Sequence, residues 1–202
     1  MENKHRRSLE IALIGVFGAL HAVLTMIPGI WRSWMILIDP IEGILLGSKA
    51  GFVAALIGSI FGRAFRLRSF LGFIFGLAEP VGAMVAGLIF RGRWRIVMLI
   101  YGSMLGAYFL HPLGRILPVW CLWDIYIAFG TIPLSPLVIR LLKKRRNLKG
   151  LTPSLILASF IGIEADVLMR IFLFIPMEFY KLMGITEAVS YTHLTLPTTE
   201  RV

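Results

Sequence analysis

Charge is what this sequence has little of. Only 16% of its 202 residues are Asp, Glu, Lys or Arg, while 57% are hydrophobic. A soluble domain carries about 25% charged and 45–50% apolar residues, so the balance excludes the ordinary water-soluble class and points to a chain solvated by lipid. Cysteine is nearly missing. Cys121 stands alone in an apolar run, which excludes an intramolecular disulfide and a cysteine-rich metal cluster. Acidic residues are the scarcer sign, 11 against 21 basic ones, for a net charge of +10. In a soluble protein that excess would raise the question of nucleic acid. Here the basic residues flank apolar runs, so the positive-inside rule accounts for them and no nucleic-acid partner is expected.

The common catalytic signatures are missing too. Gly43-Ile-Leu-Leu-Gly47-Ser-Lys49 lacks the spacing of a phosphate-binding loop, and no His-Glu-x-x-His pair occurs. Gly102-Ser-Met-Leu-Gly106 sets its serine beside the first glycine, so it is small-residue packing and not a nucleophile elbow. No catalytic residue, metal site or cofactor is therefore expected, and the chain is not expected to be an enzyme. If it pumps, its ATPase is another chain. The first apolar run is long enough to span and has no small-x-small cleavage site before a polar segment, so no cleavable signal peptide is expected.

What is present is apolar sequence over almost the whole length, with a mean hydropathy of +0.81. A span needs about 20 residues, so about six or seven fit. The expected fold is all-α, a polytopic membrane helical bundle of six to seven transmembrane helices forming one integral membrane domain over residues 1–188. The runs are Leu9–Ile27, Met35–Gly62, Phe70–Phe90, Ile96–Leu110, Ile116–Leu142 and Pro153–Pro176. Met35–Gly62 can be one kinked span or two short ones joined at Gly47-Ser48-Lys49. Two spans put thirteen basic residues on the cytoplasmic side (Lys4, Arg6, Arg7, Lys49, Arg91, Arg93, Arg95 and the six between Arg140 and Lys149). Five are left outside: Arg32, Arg63, Arg66, Arg68 and Arg115. One span flips every later loop, so the charge bias favours two. The expected location is the cell membrane, multi-pass, with a cytoplasmic N-terminus. Lys143-Lys-Arg-Arg146 is read as an anchor to anionic lipid.

Several ionisable residues interrupt the apolar runs. A carboxylate at membrane depth costs at least about 2.5–3.5 kcal/mol on insertion scales, so each is a functional candidate. Asp39-Pro40 and Glu79-Pro80 pair an acid with a helix-kinking proline, and the two breaks could line one cavity. Asp166 and Arg170 lie one helical turn apart in the acid-first order that favours pairing. Trp31-Arg32-Ser33-Trp34 is a short aromatic turn at a membrane boundary. A solute site is expected at the outer ends of the spans, from Trp31, Arg32, Trp34, Asp39, Arg63, Trp120 and Asp124, with Glu42 and Glu79 deeper. Its aromatic walls would stack a ring-bearing nutrient while a few charges orient it. His111, at a helix end before Pro112, is read as a boundary residue. In the first span Gly15/Ala19 and Gly18/Ala22 have small-xxx-small spacing, which admits either internal packing or a partner helix.

Three stretches carry a family resemblance: the basic N-terminus with its small-residue first span, Ile41-Glu-Gly-Ile-Leu-Leu-Gly47-Ser-Lys-Ala-Gly51-Phe-Val-Ala-Ala-Leu-Ile-Gly58, and Ser154–Asp166. The chain resembles the substrate-binding S components of prokaryotic energy-coupling-factor (ECF) transporters, whose short Gly-x-x-x-Gly turn matches Gly47 and Gly51. The resemblance implies a helical bundle that captures a vitamin or similar small nutrient on the outer side. It also implies docking against a coupling transmembrane subunit driven by two cytoplasmic ATPase subunits. The family's Ala-x-x-x-Ala docking motif would survive here only as Gly15, Gly18, Ala19 and Ala22, because Ala12 is followed by Val16. Two other readings stand beside this one. One is a membrane enzyme acting on lipid through Glu42, Glu79, Glu164 or Asp166; the other is an assembly scaffold.

Val189-Ser-Tyr-Thr-His-Leu-Thr-Leu-Pro-Thr198 is polar and unpatterned. It matches one reading frame of a transposon adapter used in DNA library preparation, so residues 189–202 are read as a sequencing scar and the native chain is expected to continue past Ala188.

Overall fold

Helix is the only regular structure among the described residues of the computed structural model, which are 2–27, 34–65, 70–143 and 148–182. The all-α expectation holds. Helix α1 is Glu2–Met26, α2 Met35–Leu46, α3 Ser48–Phe65, α4 Phe70–Gly76, α5 Glu79–Phe90 and α6 Trp94–Leu110. Short pieces follow: α7 (Pro112–Ile116), a turn of 3-10 helix (Val119–Leu122), α8 (Trp123–Thr131) and α9 (Ser135–Lys143). Helix α10 (Leu148–Phe174) is the longest, and α11 (Phe179–Leu182) is a single turn. Two stretches of the described residues are long and apolar enough to cross a membrane, Arg7–Met26 and Gly72–Phe90; Trp94–Leu110 and Val119–Thr131 are apolar but shorter. The adapter-like segment, residues 189–202, lies outside the described residues.

Prolines decide where the expected spans break, and not always as expected. The run Ile116–Leu142 is not one helix. Pro118 precedes the 3-10 turn, and Pro133 falls in the gap between α8 and α9, since proline can neither donate to the preceding turn nor fit against it. Glu79-Pro80 does mark a break. Helix α4 ends at Gly76, two turn residues intervene, and Pro80 sits in the first turn of α5, where its missing N–H leaves no bond unmade. Pro40, in contrast, lies inside α2, which continues through it.

The block Met35–Gly62 resolves into two helices parted at Gly47, which takes a φ of 96° in the region that glycine alone enters freely. Its N–H bonds to Gly43 O at 3.1 Å, and Gly51 N–H bonds to Gly47 O at 2.7 Å, so the chain turns within one residue. Space for the turn comes from Gly43 on α2, Gly51 on α3 and Gly87 on α5. A Cβ on Gly51 would stand 2.7 Å from Gly43 Cα, and one on Gly43 would overlap the carbonyl oxygen of Ala83 on α5.

Close contacts fix the helix directions. Gly18 of α1 meets Ala54 and Ile57 of α3, Gly58 meets His21, and Gly62 meets Ala22 and Thr25, so α1 and α3 run parallel. Gly82 of α5 meets Asp166 of α10, while Ala86 meets Gly162, so these two run antiparallel. The Arg91 guanidinium lies against Gly47. One end of the bundle therefore gathers the exposed basic residues Arg7, Lys49, Arg91 and Arg93, and the opposite end holds the C-terminal halves of α1, α3 and α10 with the start of α2.

An apolar core fills the space between α5, α6, α8 and α10, including Val85, Ile89, Tyr101, Ile125, Ile161 and Leu168. The Tyr101 hydroxyl donates to the Ile161 carbonyl and so satisfies the polar tip of a fully buried ring. Large apolar side chains also face outward: Ile11, Val16 and Val23 on α1, Leu99 and Leu110 on α6, and Ile156 on α10. Helix α1 packs chiefly on α3 and secondarily on α2. Its small residues divide accordingly. Gly18 is buried and Ala22 half-buried on the α3 side, whereas Gly15 and Ala19 are exposed and a Cβ on Gly15 would meet nothing.

Candidate functional site

Charged and polar side chains from five helices converge inside the bundle, toward the end opposite the basic turns. From α1 comes His21, from α2 Asp39 and Glu42, from α3 Ser59 and Arg63, from α5 Glu79, and from α10 Asp166 and Arg170. His21 and Glu42 are fully buried, and Asp39, Ser59, Arg63, Glu79 and Asp166 are buried as well. An isolated charge in such surroundings is expensive, so each must find a partner.

Glu79 is the hub. Its Oε2 accepts from Ser59 Oγ at 2.6 Å and from Arg63 at 2.8 Å, while its Oε1 accepts from the other Arg63 nitrogen. Arg170 reaches the same Oε1 at 3.3 Å and holds Asp166 with two bonds of 2.9 Å each. Local structure supports the arrangement. Glu79 is the first residue of α5 and Arg63 lies in the last turn of α3, so each charge sits at the helix end whose dipole favours it. The two-point geometry between Arg63 and Glu79 is the kind that carries orientation as well as energy.

His21 joins the hub to a second pair of acids. Its Nε2 lies 3.0 Å from Ser59 Oγ and 3.3 Å from Glu79 Oε2. Its Nδ1 lies 3.1 Å from both oxygens of Glu42 and 3.6 Å from Asp39 Oδ1. Among the described residues no donor forms a hydrogen bond to that Asp39 oxygen, although it is buried. The imidazole fits because Gly58 faces it; a Cβ there would overlap His21 Cβ and stand 2.6 Å from its Cγ. His21, Asp39 and Glu42 each offer one ligand atom, and these atoms lie within 4.8 Å of one another, a grouping able to hold a metal ion.

Ser59, His21 and Glu42 stand in the hydroxyl–imidazole–carboxylate order of a nucleophilic triad. The hydroxyl is nonetheless committed to Glu79 and is buried, so a carboxylate occupies the approach that an electrophilic carbon would need.

The expected site residues separate into groups. Asp39, Glu42, Arg63 and Glu79 come together, and the Asp166–Arg170 pair forms and extends to Glu79. Arg63 is buried, in the last turn of α3. Trp34 precedes α2 and is 44% exposed. Asp124 does not join the cluster: it opens α8, its Oδ1 accepting from Ile125 N–H at 2.9 Å. Trp31 and Arg32 lie outside the described residues. Glu164 is buried as well. His111 behaves as a boundary residue, its Nδ1 accepting from Leu113 N–H at the start of α7. Near it, Glu178 bonds to Lys181 and His111, which together hold its carboxyl below the usual carboxylate range.

Sequence reasoning missed His21 and Ser59. The available signal was a polar side chain inside an otherwise apolar helix, the same signal that singled out Glu79.

Beside the hub lies a cavity of about 410 Å³, within the range of small-molecule sites. Phe75, Tyr108, Trp120, Cys121 and Phe174 line it with aliphatic neighbours, and among the described residues Arg170 is its one charged lining residue. The guanidinium thus belongs to both features: it faces the cavity and is held from behind by Asp166 and Glu79.

No protein-family model matches the chain, and neither a curated protein nor a solved structure does so.

Proposed function

We propose that this protein is the solute-binding component of a membrane transport system, a multi-pass helical bundle that takes its solute into the cavity beside Arg170 from the outer side. The observation that carries this reading is a mostly apolar, aromatic-walled cavity with one guanidinium, itself fixed by two carboxylates. Such a wall suits a ring-bearing or apolar molecule of vitamin size, and the arginine suits an anionic group on it. Arg170 arrives already oriented, so little side-chain freedom is lost on binding.

Membrane placement is supported by the two apolar stretches of spanning length, by outward-facing apolar side chains on α1, α6 and α10, and by the low charge content. The gathering of basic residues at one end supports an inward orientation for that end, with the N-terminus cytoplasmic. Then the cavity and the hub lie toward the outer face. The S-component resemblance adds a coupling transmembrane subunit and two ATPase subunits as partners. Exposed Gly15 and Ala19 remain available on α1 for a helix of the coupling subunit, whereas Gly18 and Ala22 are turned to α3.

Thermal unfolding of the detergent-purified protein across a panel of vitamins and nucleobases tests the solute reading. A saturable rise in melting temperature with at least one anionic, ring-bearing compound is expected. Trp120→Ala should weaken that compound about tenfold, the effect of losing about 1.4 kcal/mol, without lowering the melting temperature of the free protein. A panel without any saturable response contradicts the proposal.

A further inference from the structure

We propose that His21, Asp39 and Glu42 form a binding site for one divalent first-row transition-metal ion, distinct from the solute cavity and independent of the solute reading. Three observations carry it.

The first is which atoms face one another. Ser59 and Glu79 both crowd His21 Nε2, and the Glu79 carboxylate can only accept. Nε2 therefore carries a proton, while Nδ1 faces two oxygens of Glu42 and one of Asp39, which can only accept, so a second proton or a metal ion must stand on that side of the ring. Three electron-rich groups facing inward need a positive charge among them. A carboxylate behind the far nitrogen of an imidazole is also the arrangement that orients a histidine toward a metal.

Geometry is the second. The separations from Nδ1 are 3.1 Å to Glu42 and 3.6 Å to Asp39. Ligand atoms bound at about 2.0–2.2 Å around a tetrahedral ion stand about 3.4 Å apart. Asp39 Oδ1 is the buried oxygen that no described hydrogen-bond donor serves, so it is free to ligate without breaking a bond.

Charge balance is the third. Asp39, Glu42, Glu79 and Asp166 contribute four negative charges, and Arg63 and Arg170 return two positive ones. With all four acids ionised the buried cluster is left two charges short, which one divalent cation supplies; a proton on His21 supplies half, and a second on Asp39 is the competing way to supply the rest. The mixed imidazole and carboxylate set selects the chemical class. Imidazole suits Zn²⁺, Co²⁺ and Ni²⁺, whereas Mg²⁺ and Ca²⁺ prefer all-oxygen shells.

The test uses the full-length protein in detergent, stripped with chelator and titrated with Co²⁺ and with Zn²⁺. Wild type should take up one equivalent of Co²⁺, develop the visible absorption of a tetrahedral site, and release the cobalt when Zn²⁺ is added. Asp39→Asn should bind at least about 100-fold more weakly, and Ser59→Ala, which loosens the imidazole from behind, about 10-fold. Trp120→Ala should bind as wild type does, which separates this site from the solute cavity. The proposal is overturned if wild type takes up no cobalt. It is equally overturned if Asp39→Asn binds as tightly as wild type, or if ¹⁵N spectra show His21 protonated on both nitrogens whether or not metal is added. Because the wild-type spectrum needs no variant, a misfolded Asp39→Asn protein leaves the first criterion intact.

Discussion

Replacing Glu79 by alanine is expected to lower stability by about 3–5 kcal/mol, the penalty for breaking a buried ion pair and leaving its partners uncompensated. Two guanidiniums, a serine hydroxyl and an imidazole lose an acceptor at once, because Arg63, Arg170, Ser59 and His21 all converge on that carboxylate. Arg63→Ala should lose a comparable amount, as Glu79 then keeps Arg170 as its cationic partner. The double variant is expected to be more stable than the summed losses by at least about 1 kcal/mol, as for residues sharing one network. Denaturation of the four purified proteins in mild detergent gives the cycle. Strict additivity would mean that the two side chains do not act as one unit.

The second large effect concerns packing. Gly43→Val should prevent α2 from seating on α5, because the new side chain would meet the Ala83 carbonyl. Backbone cannot rotate away as a flexible side chain can, so the loss should reach about 3 kcal/mol, the upper end of overpacking effects. Its control is Gly102→Ala on α6. That glycine is helical, exposed and has nothing near its missing Cβ, so alanine should stabilise by about 0.5–1 kcal/mol. Melting temperatures of the pair, moving in opposite directions, check both statements. Equal losses at the two positions would show that α2 and α5 do not approach as described.

Much of this architecture was legible in the residues. The helical content follows from long apolar runs, and the division at Gly47 followed from counting basic residues on each side. The acid-first spacing of Asp166 and Arg170 gave their pairing directly. Two features needed three dimensions. Arg63 was expected at the outer end of a span, apart from the deeper Glu79, and only the folding of α5 against α3 brings Glu79 to it. His21 belongs to a helix whose small residues drew attention to packing, and its role depends on α2 and α3 both closing on it. The run from Ile116 to Leu142 misled for a local reason: its apolar composition fits a span, yet Pro118 and Pro133 divide it into short helices.

The most direct test of an outward-facing site in a multi-pass membrane protein is the sidedness of single cysteines. In a Cys121→Ser background, Arg93→Cys marks the basic end and Met177→Cys the end near the hub; both positions are exposed. A membrane-impermeant maleimide applied to intact cells is expected to label position 177, and to reach position 93 only after permeabilisation. Labelling of position 93 alone in intact cells, or of both positions from the same side, would contradict the account.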